Sequence, residues 1–386
     1  MPRFPQASAP VAAMGGSPYS ALAHKLATFD GEVYPFHVGD TWMEPAVGCR
    51  MEDLAVADHP GMHRYAPPRG IPALLEGLVE KERHRTGLPT ELDNVLVATG
   101  ATGGLAAVVA AMVEPGDEVL ILAPHWPLIG GMVRVAHGKA VQVPFMGVAD
   151  SPETAVEVVE RHATARTVAL YVSTPNNPSG KLIPGPWLAA LAEWARRRGL
   201  WVLSDEVYED FVYVEGHTSF RPLAPERTVA VYSFSKSYGM AGNRCGSVVG
   251  PAEILNHALK AGTNTVYSVN TAAQLAAVRV MEGQADGWLR TAQEQYAALG
   301  RMAADRLGVP RPEGSAFLFL DIADLLEPDD DQTLMSFLER CADHRLLAAP
   351  GPSFGPYPTH IRVCFTCAPP EVVERGIEVL AGLLGR

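Results

Sequence analysis

The 386-residue sequence is poor in cysteine, in basic residues and in long apolar runs, and each shortage excludes a class of protein. Five cysteines in a chain of this length are too few, and odd in number, for a disulfide framework. Lysine and arginine number 31 against 43 aspartates and glutamates, so a formal charge of −12 argues against nucleic acid as a partner. The longest apolar segment, Leu105 to Val113, is far shorter than the roughly 20 residues that a membrane-spanning helix needs. With no signal-like apolar segment near the N-terminus, we expect a cytoplasmic protein without a membrane partner.

Two short patterns that resemble functional motifs have ordinary structural explanations. The basic run at 196–198 directly precedes Gly199 and is typical of a helix C-terminus, where cations complement the helix dipole. Cys364 and Cys367 form a C-x-x-C pattern within an alternating segment, His360 to Cys367, that predicts a β-strand. Residues three apart on a strand point to opposite faces, so we expect no metal site there.

The middle of the chain alternates apolar strand patterns with helical ones. The predicted strands are 94–99, 118–122, 166–173, 200–204 and 228–233, and the predicted helices between them include 103–113 and 187–198. Apolar strands separated by helices favour an α/β fold with a mostly parallel sheet sandwiched by helices. We predict a large domain over 47–283 and a smaller α+β domain built from 1–46 and 284–386, with an acidic loop at 328–331.

Polar residues follow four of the predicted strands, where ligands bind in open α/β sheets. The small-residue turn 100–104 could hold a phosphate at a helix N-terminus, although such a turn is often only a turn. The segment 173–180 holds two asparagines between prolines. Asp205 and Tyr208 have a spacing that would share one face of a helix, and Asp205 could equally be a helix cap. Lys236 directly follows an apolar strand, where partial desolvation lowers an amine pKa and favours nucleophilic use.

Taken together, the ordered motifs resemble the class I/II aminotransferases of the aspartate aminotransferase family, which are fold-type I pyridoxal-phosphate enzymes. The resemblance covers nearly the whole chain. It rests on YAPPRGIPAL from Tyr65, GDEVLILAPHW from Gly116, STPNNPSG from Ser173, SDEVYEDFVY from Ser204, SFSKSYGMAGNRCG from Ser233 and HIRVCF around Arg362.

The resemblance implies a pyridoxal 5'-phosphate site and assigns roles by motif position. Lys236 matches the lysine that forms the internal aldimine and moves the substrate proton, and Asp205 matches the carboxylate at the pyridine nitrogen. Tyr208 and Asn177 match the donors to the ring oxygen O3′. The remaining matches are Ala101, Thr102, Ser233 and Arg244 for the phosphate, Trp126 for ring stacking, Tyr65 for the partner subunit's cofactor, and Arg362 with Gly39 for the substrate carboxylate. The match of Tyr65 implies a homodimer with shared active sites.

The implied reaction is transamination between an amino acid and a 2-oxo acid. The same framework also hosts carbon–sulfur β-lyases and cyclases, and some regulators carry such a domain without catalysis, so these remain alternatives. The residues expected around the substrate side chain, Trp42, His125, Tyr267 and Phe354, include no second arginine. They favour a neutral or aromatic amino donor over a dicarboxylic one.

Overall fold

A computed structural model describes residues 6–15, 20–326 and 333–386, so the predicted acidic loop at 328–331 lies outside the described residues. The central element is a seven-stranded sheet in the order β1-β7-β6-β5-β4-β2-β3. Its strands are β1 Val95–Ala98, β2 Glu118–Ala123, β3 Lys139–Pro144, β4 Thr167–Ser173, β5 Trp201–Asp205, β6 Thr228–Ser233 and β7 Gly246–Val249. Strand β7 runs antiparallel to both of its neighbours, and the other strands are parallel to one another.

Helices cover both faces of this sheet, which is why its inner strands are apolar throughout. Along β2, Val119 and Ile121 pack in one apolar cluster with the helices at 100–112, 128–135 and 252–265, whereas Leu120 and Leu122 pack in another with those at 152–160 and 185–198. The helices in the first part of the chain are α1 Ala9–Ala12, α2 Ser20–Leu26, α3 Pro72–Thr86, α4 Gly100–Met112, α5 Leu128–Val135, α6 Pro152–Glu160, α7 Gly185–Arg198, α8 Phe234–Ser237, α9 Ala252–Thr265 and α10 Thr271–Met281. Helix α7 ends at Gly199 with a φ of 69°, after three arginines in its last turn, as the sequence predicts.

A second, three-stranded antiparallel sheet has the order β8-β10-β9. Its elements are β8 Phe317–Asp321, β9 Ala349–Pro350, β10 His360–Cys364, α11 Asp286–Leu307, α12 Thr333–Asp343 and α13 Pro370–Leu383. Leu22, Leu26 and Phe36 from the N-terminal segment are buried in the apolar core of this unit. The domain boundaries near residues 46 and 283 stay a prediction.

The C-x-x-C segment differs from the predicted single strand. Strand β10 ends at Cys364, and the chain then turns so that the Cys367 thiol donates to the Cys364 carbonyl oxygen at 3.3 Å. The argument from opposite strand faces is therefore wrong. All five cysteines are free thiols, and the described part of the chain holds no cluster of three or more potential metal ligands.

Candidate active site

A cavity of about 780 Å³ lies where strands β4, β5 and β6 end and helix α4 begins. The carboxyl ends of parallel strands meet at one edge of a sheet, so residues far apart in sequence converge there. With the exception of Tyr65, the predicted site residues line this cavity. They are Gly39, Ala101, Thr102, Trp126, Asn177, Asp205, Tyr208, Ser233, Lys236, Arg244 and Arg362.

Lys236 stands on the short helix α8, directly after strand β6. The Ser233 hydroxyl caps this helix by accepting from the Ser235 amide at 3.1 Å. Lys236 Nζ donates to the Gly39 carbonyl oxygen at 2.5 Å and lies 3.3 Å from Asp40 Oδ1. The amine is thus largely shielded from water but held at the cavity by two oxygens.

Asp205 ends strand β5 and is buried. Its Oδ2 accepts a hydrogen bond from the Tyr171 hydroxyl at 2.5 Å, and its Oδ1 accepts from the Val207 amide at 3.3 Å. Removal from water raises the pKa of Asp205 to about 6, while these two hydrogen bonds act in the opposite direction. A carboxylate held in this way fits a cationic ring nitrogen, because a neighbouring positive charge offsets the cost of burial.

Tyr208 also faces the cavity, but through a turn rather than a helix. Strand β5 stops at Asp205 and residues 207–210 form a turn, so the expected helical spacing is wrong. The ring packs edge-on against Phe317, with 5.6 Å between centroids. Burial raises the pKa of Tyr208 far above its usual value, so its hydroxyl keeps its proton and can donate.

Arg362 lies on β10 and is buried between two aromatic rings. Its guanidinium carbon is 4.3 Å from the Phe317 centroid and 4.8 Å from the Phe354 centroid. Nη1 donates to Asn177 Oδ1 at 3.0 Å and Nη2 donates to the His37 carbonyl at 2.7 Å. A guanidinium only donates, so this contact assigns the Asn177 carbonyl oxygen to Arg362 and leaves the Asn177 NH₂ group as the donor toward the cavity.

The start of helix α4 and Arg244 form a cradle for an anion. Gly100 has a φ of +67°, and a Cβ at this position would lie 2.6 Å from Arg244 Nη2. Only glycine therefore allows the guanidinium to lie against the first turn of α4, where the backbone amides of Ala101 and Thr102 lack helical partners. Arg244 is itself fixed in a left-handed conformation, and its Nη1 donates to the Ala241 carbonyl at 2.9 Å. This donor set fits a phosphate group.

The structure does not place all the expected substrate residues at the cavity. His125 is buried with Nδ1 against the Trp126 carbonyl oxygen, and Phe354 packs behind Arg362. Tyr267 is half exposed beside Tyr65, with 4.8 Å between ring centroids, and Trp42 packs on the core of the smaller sheet. These four side chains do not line the cavity of a single chain, so their place around a substrate stays a prediction.

Several cavity residues were not anticipated from the sequence. Ser235 lies in the same SFSKS motif as Lys236, which is a signal that could have found it. Arg134 projects from α5 and Met14 comes from the segment after α1, and neither position carries a motif. Tyr171 lies in the core and not at the cavity wall, but it donates to Asp205, and its sequence pattern is that of one more apolar residue of a buried strand.

The sequence profile of the family described as aminotransferase class I and II matches residues 34–380, a range that includes the lysine, the carboxylate and the three arginines of the cavity. The chain belongs to this family. Class I and II aminotransferases depend on pyridoxal phosphate, and the lysine, the buried carboxylate and the anion cradle fit that group. The resemblance, the fold class, the enzyme class and the cofactor predicted from sequence are confirmed.

Similar proteins are aminotransferases in name as well. This aminotransferase is 33% identical over 336 residues to the aspartate/prephenate aminotransferase of Thermus thermophilus, with 84% of each chain covered. It is 30% identical over 345 residues to the arginine–pyruvate transaminase of Pseudomonas aeruginosa, with 86% of this chain and 84% of that one covered. Its fold matches a Thermus thermophilus aspartate aminotransferase tetra mutant complexed with tryptophan, with a TM-score of 0.89, 29% identity and coverage of 98% and 100%. These names support transamination over the lyase, cyclase and regulator alternatives.

Proposed function

We propose that this aminotransferase moves the amino group of a neutral or aromatic amino acid to a 2-oxo acid, with Lys236 as the group that transfers the proton. The observation that carries the proposal is that Lys236, Asp205 and Arg362, from three separate elements, line one cavity. They are a base, a buried anion and a carboxylate-binding cation. These are the groups that removal of a proton from an amino acid's α-carbon requires.

When bound, pyridoxal phosphate supplies an aldehyde that takes up an amino group and a protonated ring that withdraws electrons from the attached carbon. Asp205 would place a negative charge beside the ring nitrogen and so favour its protonated form. The Asn177 amide and the Tyr208 hydroxyl would donate to the ring oxygen. Arg244 and the first turn of α4 would hold the phosphate. Trp126 lines the same cavity and provides a flat face for the ring.

Lys236 moves the proton and Arg362 orients the substrate. In its unprotonated form, Lys236 Nζ can accept the proton of the substrate's α-carbon and would carry it within the cavity. The Gly39 carbonyl and Asp40 keep Nζ at the cavity. Arg362 would bind the α-carboxylate, and its guanidinium is held by the two aromatic rings and by the hydrogen bonds that Nη1 and Nη2 donate to Asn177 and His37.

The choice of amino donor depends on the rest of the cavity wall. Met14, Leu105, Pro127 and Leu128 contribute apolar surface, which favours a neutral or aromatic side chain. A dicarboxylic donor is the second candidate, because Arg134 also lines the cavity and could bind a second carboxylate.

A panel of amino acids, compared by kcat/KM, separates the two donor classes. We expect aromatic and neutral donors to exceed aspartate, and Arg134→Leu to change their kcat/KM by less than about threefold, since no second carboxylate needs it. A preference for aspartate that Arg134→Leu lowers by about a hundredfold would establish the dicarboxylic candidate instead.

Attachment of the cofactor tests the role of Lys236. Borohydride treatment of the loaded enzyme followed by peptide mass analysis should place the pyridoxyl group on Lys236. Lys236→Ala should carry no label and should not react with any amino acid. Lys181→Ala removes another partly exposed lysine, which pairs with Glu313, and should leave the labelling intact. A label at any other position would contradict the proposal.

We also propose a homodimer in the cytoplasm. Tyr65 is 83% exposed and lines an open groove with Val56, Met62 and Val269, an apolar surface that a second copy would cover. Five free thiols suit a reducing compartment. Within the described part of the chain, no helix has the length and apolarity to cross a bilayer.

A further inference from the structure

Tyr171 is a fully buried tyrosine in the middle of strand β4. Its ring packs in the apolar cluster between the sheet and helices α4 and α9, among neighbours such as Leu203 and Val231. Burial raises the pKa of Tyr171 well above its usual value, so the hydroxyl stays protonated. A phenol in such a place requires a polar partner, and its partner is Asp205.

The geometry of this contact is that of a strong charge-assisted hydrogen bond. The Tyr171 hydroxyl oxygen lies 2.5 Å from Asp205 Oδ2, within the range for a hydroxyl that donates to a carboxylate. Strands β4 and β5 are parallel neighbours, with Tyr171 paired to Leu203 and Ser173 paired to Asp205. The phenol thus reaches along the sheet from inside the core and approaches Asp205 from the protein side.

We propose that Tyr171 is a positioning residue, which holds Asp205 as an anion aimed into the cavity and thereby keeps the shared proton on the ring nitrogen that Asp205 faces. The inference rests on the proposed role of Asp205. A carboxylate that accepts a hydrogen bond from Tyr171 is a weaker base, so a proton between the two groups stays on the ring. Without this donor the proton would move toward Asp205, and the ring would withdraw electrons less strongly.

Other groups around Asp205 do not replace this hydrogen bond. The Val207 amide donates to Oδ1 at the longer distance of 3.3 Å. The carboxylate of Glu206 opposes a charge on Asp205, and the Tyr208 hydroxyl faces it from the turn after β5. The positive charges that line the cavity are those of Lys236, Arg134, Arg244 and Arg362.

A double-mutant cycle on cofactor affinity tests whether Tyr171 acts through Asp205. The probe is pyridoxamine phosphate, which has the same ring and phosphate but cannot bond covalently to Lys236, and its binding is followed by tryptophan fluorescence. We expect Tyr171→Phe to weaken binding about tenfold and Asp205→Asn to weaken it more. In the Asp205→Asn background, Tyr171→Phe should have almost no further effect. Tyr232→Phe, which alters a buried strand tyrosine that packs against Arg85, should change affinity by less than about twofold.

The pH dependence of the same binding gives a readout that a purely structural role would not move. A carboxyl group that loses a hydrogen-bond donor to its charged form has a higher pKa. The pH below which affinity for pyridoxamine phosphate falls, the acidic limb of the profile, should therefore be about one unit higher in Tyr171→Phe. Incorporation of 3-fluorotyrosine at position 171 keeps the shape but makes a stronger donor, and it should move the limb to lower pH. This second variant keeps the test decisive if Tyr171→Phe does not fold.

The outcomes separate this inference from the proposed function. If Asp205→Asn leaves affinity unchanged, the assigned role of Asp205 fails and the inference fails with it. Suppose that Asp205→Asn weakens binding but Tyr171→Phe weakens it by the same factor in Asp205→Asn as in the native protein; the inference alone is then overturned. It is also overturned if the acidic limb of the affinity profile stays in place for both Tyr171 variants.

Discussion

Asp205 is a carboxylate that folding removes from water, and its protonation therefore affects the stability of the cofactor-free enzyme. Its folded pKa of about 6 lies above the ordinary value near 3.8, so its stability contribution is fully present at low pH and is lost as the pH rises through 6. Asp205→Asn removes the charge and keeps an oxygen that can accept from Tyr171. At about pH 8 the cofactor-free variant should be more stable by about 2 kcal/mol.

Calorimetry of both cofactor-free proteins between about pH 8 and pH 5 checks this prediction. The gap in melting temperature should shrink as the pH falls, because protonated Asp205 no longer bears the cost of burial. A constant gap over that range would show that Asp205 does not titrate there. The same variant should bind cofactor poorly, so stability and function conflict at this residue.

Gly100 offers a second test at the scale of one residue. Gly100→Ala places a Cβ 2.6 Å from Arg244 Nη2 at a φ of +67°, so we expect cofactor affinity to fall by at least about tenfold. Gly199→Ala is the matched control, since Gly199 has a φ of +69° and nothing within 4 Å of the added Cβ. Both substitutions should cost about 1 kcal/mol of backbone strain in urea unfolding. Equal loss of affinity in the two variants would show that the close approach of Arg244 to Gly100 does not contribute to cofactor binding.

Site residues were predictable where they follow an apolar strand. Asp205, Ser233 and Lys236 stand at such junctions, and the sheet brings them together because its strands are parallel. Tyr171 was not predictable, because it lies within its strand and only the distance to Asp205 distinguishes it from a core residue. Arg134 was missed because which way a residue of α5 faces depends on how the helix packs.

At the scale of elements, a buried ionic cluster joins helix α3 to the segments after β5. Glu82 is almost fully buried, accepts from Arg221 Nη1 at 2.8 Å and pairs with Arg85, which also pairs with Glu209. Glu82→Gln should destabilise the enzyme by about 3 kcal/mol, because the buried guanidinium of Arg221 and the half-buried one of Arg85 lose a compensating charge. Urea unfolding measures the loss.

An exposed ion pair provides the control for this prediction. Glu193 on α7 pairs with Arg196 and Arg197, and all three side chains are exposed. Glu193→Gln should change stability by less than about 0.5 kcal/mol. Similar losses for the two variants would mean that burial does not determine the strength of these pairs.

Most strands of the large sheet were predictable as apolar runs separated by helical patterns, but β3 and β7 were not. Strand β3 is at the sheet edge and carries the polar Lys139 and Gln142, so it lacks the apolar signature of an inner strand. Strand β7 has only four residues, starts with glycine and runs antiparallel, and its identity comes from pairing with β1 and β6. Pairing between distant segments is tertiary information that a local pattern does not contain.

In the proposed homodimer, Tyr65 would complete the active site of the partner subunit. Its side chain lines a separate groove and not the cavity that holds Lys236, so the proposed role at the phosphate requires a partner subunit. Tyr65→Phe should weaken cofactor binding by about tenfold through loss of one hydrogen bond to a charged group. Light scattering should give a dimer mass for both the native enzyme and this variant, since the apolar ring surface is retained.

Hybrid dimers provide the sharper test of shared sites. When Lys236→Ala chains and Tyr65→Phe chains are dissociated and reassociated together, each hybrid should contain one site with both substitutions and one site with neither. At limiting cofactor, where Tyr65→Phe alone is poorly loaded and Lys236→Ala is inactive, the mixture should therefore exceed the summed activity of its parents. Two Tyr65→Phe preparations that are dissociated and reassociated together show how much activity this treatment itself changes. If each site were built from one chain, every hybrid site would carry one of the two substitutions, and mixing would restore nothing.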